Sequence, residues 1–190
     1  MSPPSPRFKS GIATNEKSFI EQFGGIYEHS PWIARAAWRS DNISGQETVE
    51  DMAELLAMQV NEASKQLRLD LIIAHPDLAG RAAQTGSLTE ESTSEQAGAG
   101  IGQCNAEQFS RFVSYNDAYK TKYGFPFVMA VKGSNRHLIL AAFEERLEHD
   151  NETEFDRAIS EIHKIAHFRL EALADKAQSG LFHSLKRGEP

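Results

Sequence analysis

With 190 residues, 25% of them charged and 40% apolar, the chain is long enough for one ordinary hydrophobic core and too apolar for a disordered polymer. Its formal net charge of −7, with no run of Lys or Arg, excludes the basic face that nucleic-acid phosphates require, so no nucleic-acid partner is expected. Cys104 is the one cysteine, which excludes an intrachain disulfide, and no segment approaches the roughly eighteen apolar residues of a membrane span, so no membrane partner is expected either.

Residues 1–13 are rich in Pro, Ser and Gly and are expected to form a flexible surface segment without the apolar stretch of a secretory signal. From Asn15 the pattern turns helical: Phe19, Ile20, Phe23, Ile26 and Tyr27 recur at three- and four-residue steps, interrupted by Gly24 and Gly25. Pro31 then opens a second apolar helix through Trp38, and Asp41 to Gly45 reads as a turn. Val49, Met52, Leu55, Leu56, Val60 and Ala63 mark one long amphipathic helix that ends before His75-Pro76. Capping signals at Ser87–Glu90 and Asn105–Gln108 precede further helices, the second carrying Phe109, Phe112, Asn116 and Tyr119 and stopped by Gly124. Asn135 caps the next, and Asn151 a last one with Phe155, Ile159, Ile162, Ile165 and Leu170. Only Phe125 to Val131 looks extended, and without a second strand to pair it reads as a buried connector between helices. The expected fold is therefore an all-α, single-domain helical bundle over 14–178, followed by a tail at 179–190. The terminal Lys186 to Pro190 is not a Ser-Lys-Leu peroxisomal address, and with the lone cysteine this leads us to expect a bacterial cytoplasm.

Four groups of residues bear on chemistry. Proline keeps the preceding His75 out of helical backbone, and Pro76 with Asp77 suits the first turn of a new helix. His75 would then sit beside the positive end of a helix dipole, which favours a neutral imidazole able to accept a proton; the plainer reading is a helix cap. Ser92-x-x-Glu95 fits a capping box, yet the Gly98, Gly100 and Gly102 run behind it is a poor helix, each glycine costing roughly 1 kcal/mol relative to alanine, so the carboxylate is also open to a ligand. Those glycines lack the preceding strand and the lysine of a nucleotide-binding loop and suit tight turns instead. His163 and His167 share a helix face but lack a third ligand, so no metal is expected. Arg169 lies one turn beyond an apolar helix face, where most arginines are simply solvated.

Taken in series, Phe23 to Ala34 (with Glu28-His29-Ser30-Pro31-Trp32), His75-Pro76-Asp77-Leu78-Ala79, Ser92 to Gln96, Tyr123 to Val128 and Ile162 to Leu170 resemble in order and spacing one family, the 2-oxo-4-hydroxy-4-carboxy-5-ureidoimidazoline (OHCU) decarboxylases. The resemblance spans about Phe19 to Leu173. It implies decarboxylation of OHCU to (S)-allantoin in urate degradation, with His75 as the catalytic acid/base on the substrate hydroxyl and carboxylate. It implies a substrate-binding set of Pro76, Ser92, Glu95, Gln96, Phe125, Phe127, Val128 and Arg169, with Arg169 on the ring carbonyl and backbone amides of the connector on a substrate oxygen. His29 would seat the first helices. His167 departs from the arginine or glutamate expected at that place. No cofactor is expected, because the substrate's own ring C=N accepts the electron pair released with CO2. The expected partners are a small-molecule substrate and, as an assembly the sequence leaves open, a second copy in a homodimer. The rival readings are a non-catalytic helical binding module and a metalloenzyme built on His163 and His167.

Overall fold

The computed structural model describes residue 8 and residues 15–40, 48–79 and 88–187, with side chains to residue 176. Helices α1 (Glu16–Phe23), α2 (Trp32–Arg39) and α3 (Val49–Asn61) belong to one compact unit, made of residues up to Ser64 and from Ala166 onward. Lys65–Ile165 forms a second unit, with α4 (Lys65–Ile73), α5 (Glu90–Gly98), a 3₁₀ turn (Ile101–Gln103), α6 (Ala106–Tyr123), α7 (Arg136–Arg146) and the first part of α8 (Asn151–Arg187). No described residue lies in a strand, so the class is all-α as the periodicity predicts. Helix α8 runs on through most of the segment 179–190 expected as a tail.

In the first unit the Asn15 side chain accepts the Ser18 amide at 3.0 Å and starts α1, which buries Phe19 and Phe23. The Phe19 ring lies 4.7 Å from Phe23 and 5.5 Å from Trp38 of α2. Phe8 packs edge-on against Phe23 at 5.4 Å and is buried; the rest of residues 1–13 and the Asp41–Gly45 turn fall outside the described residues. Thr48 and Asp51 form a capping box that opens α3. One long helix to the His-Pro break was the expectation, but α3 stops at Asn61 and α4 begins at Lys65. Residues 61–66 supply only exposed or half-buried side chains, so no packing holds the intervening turn in helical form, and Ala63 instead bonds the Val60 carbonyl in a tighter turn.

In the second unit α5 is capped by Thr89, whose hydroxyl accepts the Ser92 amide at 3.2 Å. Ser92 is thus inside the helix and is not its cap. The helix ends in the glycine run, where Gly100 takes φ 69°, and the 3₁₀ turn follows. Asn105 and Gln108 form a second capping box, and Gly124 closes α6 in the left-handed conformation at φ 79°. Asn135 caps α7 as expected. At α8 the cap is Asp150 rather than Asn151: its carboxylate accepts the amides of Glu152 and Thr153 at 3.0 and 2.9 Å, and the charged acceptor beside the helix N-terminus outcompetes the neighbouring amide. Phe112, Tyr119, Phe127 and Phe143 are fully buried together, with the Phe127 and Phe143 rings stacked at 3.7 Å. Each such side chain stabilises the fold by about 1.5–3 kcal/mol through burial.

The connector after α6 is neither helix nor strand, and Phe125 to Val128 are buried in it. Its Ala130 amide donates to Glu161 of α8 at 2.9 Å, and the same carboxylate receives Lys164 at 2.7 Å and Arg157 at 3.1 Å. Burial pushes the Glu161 carboxyl up, but Lys164, the Ala130 amide and Arg157 together outweigh it and hold the group below its ordinary 4.5. A carboxyl held low in the folded state stabilises that state above its unfolded value and loses the contribution as pH falls through the folded value. Glu161→Gln is therefore expected to melt below the wild type at neutral pH, with the gap closing as the pH drops beneath 4.5. Melting curves recorded by circular dichroism across that range check this, and a gap that stays constant into acid contradicts it.

Candidate active site

His75 ends α4. Its amide bonds the Ile72 carbonyl at 3.1 Å and its Nδ1 lies 2.9 Å from the Leu71 carbonyl. A carbonyl only accepts, so Nδ1 carries a proton, and in the neutral form of the ring the lone pair is on Nε2. The ring is 6% exposed. The helix expected to open at Pro76 is absent: Pro76 and Asp77 are irregular, and Leu78 and Ala79 form a turn in which Ala79 adopts φ 55°, in the left-handed region. The dipole argument for a neutral base therefore fails, and the Leu71 carbonyl sets the tautomer in its place.

The loop is irregular because helix side chains capture its backbone. Gln96 of α5 accepts the Ala79 amide at 3.2 Å and donates to the Asp77 carbonyl at 3.5 Å. Asn116 of α6 donates to the Leu78 carbonyl at 2.8 Å, and Lys120, one turn on, meets the Asp77 carboxylate at 2.6 Å. Gln96, expected to bind substrate, thus spends its amide on the backbone beside His75. Ser92 is buried and Glu95 half-buried one turn later on α5. Since Thr89 caps the helix, Glu95 is not the return partner of a capping box on Ser92. A cavity of about 360 Å³ is lined by Thr93, Gln96, Ala97, Ile101 and Phe109. By helical spacing Thr93 and Ala97 stand on a different side of α5 from Ser92 and Glu95, and Gln96 separates the two. Ala79 and Leu88, also in its wall, bound residues 80–87, which lie outside the described residues. Burial pushes the Cys104 thiol up against the opposing charge of Arg136, the reverse of an activated nucleophile.

The connector is fixed by a buried polar cluster. Arg146, at the end of α7, donates from Nη1 to the Val128 carbonyl at 2.7 Å, and its guanidinium lies 4.3 Å from the centre of the Phe127 ring. Nε and Nη2 both reach Glu154 of α8, Nε at 2.7 Å. Tyr119 donates its hydroxyl to the same carboxylate, and His149 Nδ1 lies 2.8 Å from its second oxygen. Arg146 is 2% exposed and Glu154 not at all. The Tyr119 phenol is driven well above its ordinary range, chiefly by burial. Phe125 lies in the same aromatic group, 6.0 Å from Tyr119.

Arg169 belongs to the other unit. It is not a solvated arginine: its Nη1 pairs with Glu28 at 2.8 Å and donates to the Ile26 carbonyl at 3.5 Å, with both side chains buried. Within the same box His29, expected to seat the first helices, points outward with 68% of its side chain exposed, and Glu28 is the residue held inside. His163 is pushed below its ordinary value by burial, and His167 lies 3.7 Å from Glu171. Among the described residues no three His, Cys, Asp or Glu side chains are placed to hold a metal ion. Sequence reasoning missed Glu28, Asn116, Arg146 and Glu154; for Glu154 the available signal was charge on an apolar stripe, since Glu154, Ala158, Glu161, Ile165 and Arg169 recur at three- and four-residue steps along α8.

The comparisons with known proteins agree with one another. A family model described as OHCU decarboxylase matches residues 13–171. The 2-oxo-4-hydroxy-4-carboxy-5-ureidoimidazoline decarboxylase of Haloferax volcanii is 40% identical over 156 residues, covering 82% of this chain and 89% of that protein. A solved structure described as (S)-allantoin synthase superposes with a TM-score of 0.68 at 34% identity, over 85% of this chain and 51% of that longer one. A second, an OHCU decarboxylase solved in the presence of (S)-allantoin, gives a TM-score of 0.60 at 22% identity, over 76% of this chain and 91% of that one, which is a likeness of fold. With the family model spanning most of its length, the chain belongs to the OHCU decarboxylase family.

Proposed function

We propose that the chain decarboxylates OHCU to (S)-allantoin and CO2 with His75 as its catalytic acid/base. The observation that carries the residue assignment is a buried imidazole whose Nδ1 is tied to the Leu71 carbonyl, so that proton transfer falls to Nε2. The substrate bears a hydroxyl and a carboxylate on one ring carbon and a C=N at the next. When the carboxylate bond breaks, its electron pair forms a double bond between the two carbons, and the former C=N pair moves onto nitrogen, which takes a proton. The enol then yields its hydroxyl proton, becoming a carbonyl, while the neighbouring carbon gains a proton on one face. The electron sink is thus internal to the substrate, and the protein's task is to hold the ring and move protons.

In this reading His75 Nε2 manages the hydroxyl proton. Pro76 shapes the turn that carries it. Ser92 and Glu95 meet the N–H donors of the ring and ureido group, and Gln96 acts from the loop it holds. Backbone amides at Phe125, Phe127 and Val128 meet the ureido oxygen or another ring oxygen, and Arg169 donates to the ring carbonyl. The reading also takes the protein as cytoplasmic, which its single cysteine favours, and as a homodimer, the assembly the sequence leaves open. No helix among the described residues is long and apolar enough to cross a membrane.

Urate oxidase and hydroxyisourate hydrolase generate the labile substrate in place, and circular dichroism follows the appearance of (S)-allantoin. His75→Ala is expected to lose about 10²–10⁴-fold in rate with its helical spectrum intact. Near-normal turnover by the folded variant removes His75 from the chemistry. Exhaustive dialysis and chelation are expected to leave wild-type activity unchanged; activity lost to a chelator and restored by zinc favours the metalloenzyme built on His163 and His167. Arg169→Lys keeps a charge for Glu28 but loses the planar fork, so turnover is expected to fall, and (S)-allantoin is expected to protect the wild type but not the variant against thermal unfolding. Equal activity and equal protection in the two proteins would make Arg169 a partner of Glu28 and nothing more.

A further inference from the structure

We propose that Arg146 is a positioning residue for the substrate, acting through the Phe127–Val128 backbone, with Glu154 as the group that aims it. The inference rests on the reading above, in which that connector meets the ureido end of the substrate.

Four features separate Arg146 from an ordinary buried arginine. Its guanidinium is divided between two jobs: Nη1 holds the Val128 carbonyl, while Nε and Nη2 are fixed by Glu154. The same planar group lies over the Phe127 ring at 4.3 Å, so it grips consecutive connector residues, one by its carbonyl and one by its face. Glu154 in turn is held by Tyr119 and His149, so each of its oxygens has a partner and the carboxylate cannot swing. Tyr123 closes the cluster, its one hydroxyl proton shared between the Arg146 carbonyl at 2.6 Å and the His149 carbonyl at 2.9 Å.

A carbonyl held from one side fixes the plane of the following peptide, because the peptide unit is rigid. By holding the Val128 carbonyl, Arg146 sets the direction of the Met129 amide, and by stacking on Phe127 it fixes the residue before. Glu161 holds the next amide along, that of Ala130, at 2.9 Å. Arg146 and Glu161 therefore pin the connector at two adjacent peptides and leave little freedom between them. A substrate bound by such a segment pays little to order it, so loss of the pin appears as weaker binding rather than slower chemistry.

Arg146→Lys keeps a positive charge beside Glu154 but has no fork to bridge the carboxylate and the Val128 carbonyl. It is expected to raise KM for OHCU at least about tenfold while kcat stays within about threefold. Binding of (S)-allantoin, read as protection against thermal unfolding, is expected to weaken by the same factor. The paired variant Arg146→Met with Glu154→Leu removes both buried charges together, an exchange that other folds tolerate without loss of stability, and it is expected to fold and still show the raised KM. A purely structural arginine predicts the opposite pattern: fewer active molecules, hence a lower apparent kcat, at an unchanged KM. A normal KM in either folded variant overturns the inference, and so does failure of both to fold. If instead the wild type neither turns over OHCU nor binds (S)-allantoin, the functional reading itself falls and takes the inference with it.

Discussion

Buried backbone amides and carbonyls must have partners, and outside a helix or sheet that requirement has to be met by side chains. Among the described residues, the loop after His75 and the connector from Phe125 to Val131 are buried segments that stand outside any ladder. Their partners come from the faces of neighbouring helices: Gln96 and Asn116 for the loop, Arg146 and Glu161 for the connector. The burial of polar and charged groups follows from that need. An arginine brought inside to hold a carbonyl cannot stay unpaired, because an isolated buried charge is far costlier than a paired one. Hence Glu154 beside Arg146, and hence Tyr119 and His149 on the remaining lone pairs of Glu154.

The same constraint gives the site its rigidity. A free loop supplies flexible donors, whereas a loop whose carbonyls and amides are each bonded to a helix side chain supplies donors in one arrangement, and preorganised dipoles stabilise developing charge without reorganisation. His75 shares in this. Its backbone closes the last turn of α4, its Nδ1 is bonded to the turn before, and the chain immediately after it is held at Asp77, Leu78 and Ala79. The left-handed Ala79 costs on the order of 1 kcal/mol, a strain offset by the bonds at its amide and at the preceding carbonyl.

How far the sequence predicts this arrangement depends on the range of the interactions involved. Helix starts set by local hydrogen bonds were legible: Asn105 and Gln108, Asn135, and the stop at Gly124 depend on residues within one turn. The connector was legible as a buried segment because seven residues without helical or alternating pattern leave few choices. Asp150 was missed beside Asn151 because two capping residues compete and a charge decides between them. The His-Pro helix failed for a longer-range reason: proline makes a helix start permissible, but Gln96 and Asn116, 17 and 38 residues away from their loop partners, supply competing bonds that no local rule contains. Arg146 was hidden among Glu144, Glu145 and Glu148, where a charged run reads as a solvated face. Glu154 and Glu161 were visible in principle, since they interrupt an otherwise apolar stripe, and a carboxylate in such a stripe calls for a buried partner.

The pairing of Arg169 with Glu28 bears on what that arginine can do for a decarboxylation. Two opposite charges 2.8 Å apart, both buried, leave little net field at a distance, so the pair does not act as a lone cation toward an anion. It still offers the directional donors of the guanidinium. Such a group suits a neutral carbonyl, which needs geometry, better than a carboxylate, which needs charge. On the proposed assignment this is the useful distinction. An unpaired arginine on the departing carboxylate would stabilise the ground state, whose charge is lost as CO2 leaves, and so would raise the barrier. An arginine whose charge is balanced by Glu28 can hold the ring without clamping the leaving group, and any charge that develops on the ring carbonyl finds its donors already in place.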